Sequence, residues 1–90
     1  MSLTIRQSTQ FRRDVKRLKR QGADLIQLET IIKQLVAQNP LVEHYRDHAL
    51  VGNWKGFREC HIQPDWILIY RIEDEELQLA RTGSHAELFK

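Results

Sequence analysis

Ninety residues can bury one small core and leave little chain for a second, so one domain over 1–90 is expected. No apolar run approaches the ~18 residues that span a bilayer and no charged-then-apolar leader is present, which points to a soluble, cytoplasmic protein. The single cysteine, Cys60, cannot close an internal disulfide, so the fold must rest on packing. The net charge of +2 hides an asymmetry: residues 1–40 carry eight Lys or Arg against three Asp or Glu, and residues 41–90 carry six against nine. A basic amino-terminal half can attract phosphate backbones or an acidic partner, although a solvated helix face is the ordinary meaning of a charge run.

"LTIR" at residues 3–6 is short and alternating enough for a strand, and Ser8 or Thr9 then offers a hydroxyl N-cap. Phe11, Val15 and Leu18 recur at i, i+4, i+7 in the first helix, which Gly22 should end. Arg12, Arg13, Lys16, Arg17, Lys19 and Arg20 fill its other faces. Asp24 caps a second helix with Gln27 in the capping-box position, and Leu25, Leu28, Ile31, Ile32, Leu35 and Val36 form its wide apolar stripe up to Asn39-Pro40. After a polar connection come three strands, "GFRECHI", "WILIYRIE" and "ELQLARTG", joined by turns at Pro64-Asp65 and at the acidic "EDEE" of 73–76. The expected fold is α+β: two antiparallel helices on one face of a mainly antiparallel sheet of about four strands, with Leu3–Arg6 at an edge.

The stretch from Asp47 to Tyr70 concentrates residues that carry chemistry. With two-residue turns, His61 would lie opposite Leu68 and Leu68 opposite Arg81, so that His61 and Arg81 share a face. That pairing holds only if neither hairpin slips by one residue. His48, Asp65 and His85 fall at strand ends or in loops, where sites concentrate. Two chemistries compete. His44 and His48 have the i, i+4 spacing of a helical zinc pair, but no second short-spaced pair and no cysteine cluster supports a metal. Metal-free RNA cleavage needs a base for the 2′-hydroxyl, an acid for the leaving 5′-oxygen and a cation for the charged phosphorane. His, Asp and Arg suit these tasks, and Trp66 and Phe89 could stack on bases. No small-molecule cofactor is called for.

These residues bring a family into view. The basic helix with "DVKRLKRQG", the block "DHAL.GNWKGFRECHI", the segment "PDWILIYRI" and the ending "ARTGSHAELF" together resemble the RelE-superfamily toxins of bacterial toxin–antitoxin modules, most closely the YafQ-like messenger-RNA endonucleases. The combination H-x-x-PDW-x-L-x-Y followed by RTG-[ST]-H is the specific part. The resemblance implies mRNA cleavage in the ribosomal A site, contact with ribosomal RNA, and silencing by a cognate antitoxin. It also implies site residues His48, His61, Asp65, Trp66, His85 and Phe89, with Arg81 facing phosphate. Under it His85 is the general acid, Asp65 or a neighbouring histidine the base, and Arg81 with His61 the phosphate ligands. Ala49 stands where the family commonly has proline. The rival is a gyrase-binding relative of the same fold, which would need no proton-transfer groups.

Overall fold

Ser8 separates the first strand from the first helix. Its hydroxyl accepts the Phe11 N–H at 2.9 Å and donates to the Ala80 carbonyl at 2.7 Å, capping the helix and tying it to the sheet. The computed structural model describes residues 2–89, and Met1 and Lys90 lie outside the described residues. In chain order the elements are β1 (Thr4–Gln7), α1 (Thr9–Arg20), α2 (Leu25–Val36), β2 (His48–Ala49), β3 (Arg58–Gln63), β4 (Trp66–Glu73), β5 (Glu76–Gly83) and α3 (His85–Leu88). Single 3₁₀ turns at Glu43–Tyr45 and Gly52–Trp54 flank β2.

The α+β architecture is as expected, with two differences in the sheet. It has five strands in the order β1-β5-β4-β3-β2, and β1 runs parallel to β5. The added strand is β2, whose two residues are too few to show an alternating pattern. Asp24 caps α2 alone, through Ile26 N–H at 3.1 Å. Gln27, expected to complete a capping box, instead accepts from the Gln63 side chain at 3.0 Å.

The strand order explains the "WILIY" run. As the central strand, β4 is covered on both faces, and all five residues Trp66–Tyr70 are buried. One face packs Trp66, Leu68 and Tyr70 with Cys60, Ile62, Leu77 and Leu79 against Phe11, Leu18, Leu28, Ile31 and Leu35 of the helices. The other packs Ile67 and Ile69 with Leu88 beneath Leu50, Trp54 and Phe57. Cys60 is a core residue, and burial, with the charges of Asp47 and Glu59, pushes its thiol up to about 12, which leaves it unreactive.

Both hairpins slip by one residue. An irregularity between His61 and Gln63 sets His61 opposite Ile67, not Leu68, and a bulge between Ile69 and Tyr70 sets Arg81 opposite Ile69. The extra residue in β5, Ala80, turns Arg81 toward α1. There its guanidinium donates to Asp14 Oδ2 at 2.7 Å and Oδ1 at 3.1 Å. The two slips cancel in the register, since Ile67 and Ile69 lie on one face of β4, but the guanidinium is held by Asp14 and is not offered beside His61.

Asp14 is the ionic centre of the helix–sheet contact. Only 1% exposed, it also accepts from Arg17 at 2.8 Å and from the Thr82 N–H at 3.1 Å. Burial opposes its charge, but the hydrogen bonds from Arg81, Arg17 and Thr82 outweigh that and hold the carboxyl below its ordinary range. Its stabilisation is therefore fully present above the unfolded carboxylate value of about 4 and is lost as pH falls through the lower folded value. Asp14→Ala is expected to cost on the order of 3 kcal/mol at neutral pH, because it strands two guanidiniums and a buried N–H. Urea unfolding should show the gap between wild type and variant closing in acid. A gap of equal size at neutral and acid pH would contradict the linkage.

Candidate active site

Strand register assembles the site. His48 pairs with Glu59 across β2 and β3, and Glu59 with Ile69 across β3 and β4, while the next row runs His61, Ile67, Gly83. Glu59 and His61, two apart on one strand, share the sheet face that carries Ile67, Ile69 and Leu88, opposite α1 and α2. His85 opens α3 two residues past Gly83 and folds over the same face.

The result is a buried carboxylate ringed by imidazoles. Glu59 Oε2 lies 3.5 Å from His48 Nε2, 3.8 Å from His61 Nε2 and 3.5 Å from His85 Nε2. The Glu59 side chain is 6% exposed, whereas those of His48 and His85 are 50% and 43% exposed, so the carboxylate forms the floor and two imidazoles the open rim. His48 Nδ1 is 2.6 Å from the Arg46 carbonyl, which can only accept. Nδ1 therefore carries the proton and Nε2 is presented to the site. Asp65 Oδ1 plays the corresponding part for His85, meeting its main-chain N–H at 3.3 Å and its Nδ1 at 3.4 Å. Proton exchange is thereby directed to Nε2 of both rings.

His61 differs from its neighbours. Burial lowers its pKa first of all, and the nearby His85, Arg46 and His48 lower it further, against the opposing charge of Glu59. Its surroundings thus favour its neutral form. Phe89, 41% exposed, stacks on His85 with ring centroids 5.9 Å apart and 27° between planes. A cleft of about 310 Å³ lined by His44, Arg46, His61, Ile62, Gln63 and Pro64 opens beside the cluster.

The structure thus gathers His48, His61, Asp65, His85 and Phe89. It does not bring Trp66 or Arg81 with them. Trp66 is buried in the core and its indole N–H donates to Thr82 Oγ1 at 2.9 Å, so it has no free face for a base. Arg81 is occupied by Asp14, and the arginine near His61 is Arg46. His44 and His48 are not a helical pair, since one lies in a 3₁₀ turn and the other in β2. Glu59 was missed, although its position two residues before His61 on a strand is the signal that places both on one face.

One ligand atom each from Glu59, His61 and His85 lies within 4.8 Å of the other two, so these three could also hold a transition metal.

The family described as "Bacterial toxin of type II toxin-antitoxin system, YafQ" matches residues 3–90. The chain belongs to the YafQ toxin family. A curated YafQ relative, the mRNA interferase toxin YafQ of Escherichia coli K12, is 43% identical over 86 residues, 94% of each chain. Among solved YafQ-type structures, the E. coli DinJ–YafQ toxin–antitoxin complex superposes with a TM-score of 0.91 at 41% identity, covering 100% of both chains. A metal-bound toxin from Helicobacter pylori superposes with a TM-score of 0.91 at 45% identity, covering 97% of this chain and 99% of that one. Among the described residues no helix is long and apolar enough to cross a membrane.

Proposed function

We propose that this chain, a single toxin domain over 1–90, is a cytoplasmic endoribonuclease that cuts mRNA in the ribosomal A site by acid–base catalysis and so stops translation. The observation that carries this reading is the convergence of three imidazole Nε2 atoms on one buried carboxylate oxygen. Glu59 is the base that takes the 2′-hydroxyl proton. The 2′-oxygen then bonds to the adjacent phosphorus, the bond from phosphorus to the 5′-oxygen breaks, and His85 Nε2–H protonates the departing oxygen. The products are a 2′,3′-cyclic phosphate and a 5′-hydroxyl.

The acid role falls to His85, because burial disfavours the imidazolium of His61. Asp65 holds the His85 ring by Nδ1 and so leaves Nε2 for the departing oxygen. His48 and His61 flank the reacting phosphate, and Arg46 supplies the nearby cation for the phosphorane, the role expected of Arg81. Phe89 offers its exposed face to a base. The exposed Arg12, Arg13, Lys16, Lys19 and Arg20 of α1 face ribosomal RNA or the antitoxin. Side chains supply every step, so the reading requires no metal and no small-molecule cofactor.

The direct test incubates purified protein with mRNA-programmed ribosomes and, separately, with gyrase and DNA. Ribosome-dependent cleavage without gyrase inhibition is expected. Gyrase inhibition without cleavage would replace this reading with the binding-protein one.

The partner follows from the family and the surface. An antitoxin segment, amphipathic and acidic, is expected to seat in the apolar groove of about 230 Å³ that Ile5, Phe11, Val15, Leu25, Leu28 and Ile32 help to line, with its charges toward α1. Affinity of the co-purified complex should fall as salt rises, since exposed pairs are screened over about 10 Å at 0.1 M ionic strength. Calorimetric affinity unchanged between low and high salt would remove the electrostatic part.

A further inference from the structure

Arg17 sits in the basic helix but is not part of its solvent face. Its guanidinium joins three elements: Nη1 donates to Asp14 Oδ1 of α1 at 2.8 Å, Nη2 to the Thr82 carbonyl at the end of β5 at 3.2 Å, and Nη2 to Glu87 Oε1 of α3 at 3.4 Å. Its Nε lies 3.0 Å from Glu87 Oε2 without hydrogen-bond alignment, so that contact is Coulombic. Glu87 is also the N3 residue of a capping box. Its Oε1 accepts the Ser84 N–H at 3.0 Å and the Ser84 hydroxyl at 3.2 Å, while Ser84 Oγ accepts the Glu87 N–H at 3.2 Å.

We propose that the Arg17–Glu87 ion pair, seated over Gly83, is a positioning device that holds His85 against Glu59 and Asp65. The proposal rests on the reading of His85 as the acid. A single four-residue turn such as α3 does not persist on its own propensity, so its orientation must come from what grips it. Three grips are present: Leu88, buried on the sheet; Asp65, an exposed side chain at the His85 main-chain N–H at 3.3 Å; and Glu87, held by Arg17 and Ser84. His85 lies on the same turn, so rotation of α3 about the Leu88 anchor would carry its Nε2 away from Glu59.

Gly83 supports this independently. Its φ is +152°, a conformation side chains avoid, and a Cβ there would stand 2.6 Å from Arg17 Nη2 and 3.0 Å from Glu87 Oε1. A side chain at this position would be strained by the backbone and would displace the guanidinium and the carboxylate from where they meet. The Asp14 carboxylate that organises the helix–sheet contact is thus connected, through one arginine, to the turn that carries the acid.

The test measures Arg17→Ala, Arg17→Lys, Glu87→Gln and the double variant Arg17→Ala/Glu87→Gln. The readouts are single-turnover cleavage on saturating ribosomes, the half-saturating ribosome concentration, the His85 ring signals by NMR, and Tm. Each single variant is expected to lower the saturated rate by about ten- to a hundredfold, the scale on which an ångström of misplacement acts, and to shift the His85 signals. The double variant should fall no further than the lower single, and Arg17→Lys should recover part of the loss. Arg17→Ala removes a positive charge and Glu87→Gln a negative one, so a charge effect on RNA attraction would move them in opposite directions, whereas mispositioning moves both down. Ile31→Val, a core change outside the network, should lower Tm and keep the saturated rate. If Arg17→Ala does not fold, Glu87→Gln carries the test, because it leaves the Asp14 contacts in place. Wild-type rates with unmoved His85 signals in Glu87→Gln, or an equal loss in Ile31→Val, would overturn the proposal. A wild-type rate in His85→Gln would overturn instead the reading on which it rests.

Discussion

Glu59→Gln is expected to abolish most cleavage while leaving the fold intact or firmer. The buried carboxylate has its three imidazole neighbours at 3.5 to 3.8 Å, too far for strong hydrogen bonds, so its charge is poorly compensated by geometry alone. Glutamine keeps the shape and removes the charge. The loss of a general base is worth about 10²- to 10⁴-fold, and single-turnover cleavage on saturated ribosomes should fall by that factor. Ribosome binding should hold or tighten, because one negative charge leaves a site that faces phosphate. Thermal unfolding then distinguishes chemistry from packing. An unchanged or higher Tm with lost activity supports Glu59 as base, and a retained rate would transfer the role to Asp65 or His48.

The second large effect is on the pH profile. A protonated His85 is needed for departure of the 5′-oxygen, so the wild-type rate should fall on the alkaline side. His85→Gln should be slower by about 10²- to 10⁴-fold and should lose that alkaline limb. Single-turnover measurements across the pH range in which ribosomes stay intact separate this from product release. A wild-type rate that is flat over the range, or a limb that survives in the variant, would move the acid to His48 or His61.

What could be read ahead from the chain divides along physical lines. The two helices carry strong periodicity, the three long strands are runs of apolar and β-branched residues with weak alternation, and the stops are clear: Ser8, Gly22, Asp24, Pro40 and the two hairpin turns. β2 is too short to show alternation, and the parallel pairing of β1 is a tertiary choice that local pattern does not encode. α3 did leave a trace, the Ser84-x-x-Glu87 capping box. His48, Asp65 and His85 were legible because loops and strand ends concentrate chemistry, and His61 and Phe89 entered through the family resemblance. Arg81 is held away from the cluster by its ion pair with Asp14, a tertiary contact 67 residues apart in the chain that local pattern does not encode, and Trp66 is a core residue although an indole in an all-apolar run reads equally as core or as stacking platform. Glu59 was passed over for its identity, since a carboxylate between Arg58 and Cys60 reads as a solvated charge until β2 and α3 close over it.

In the proposed reaction the RNA's own 2′-hydroxyl is the nucleophile, activated within the Glu59–histidine cluster. The most direct measurement programmes ribosomes with mRNA carrying a single 2′-deoxy substitution at the nucleotide before the mapped cut, beside an unsubstituted control. The control is expected to yield a 2′,3′-cyclic phosphate and a 5′-hydroxyl while the substituted message stays whole at that bond. Cleavage of the 2′-deoxy bond at the control rate would contradict it.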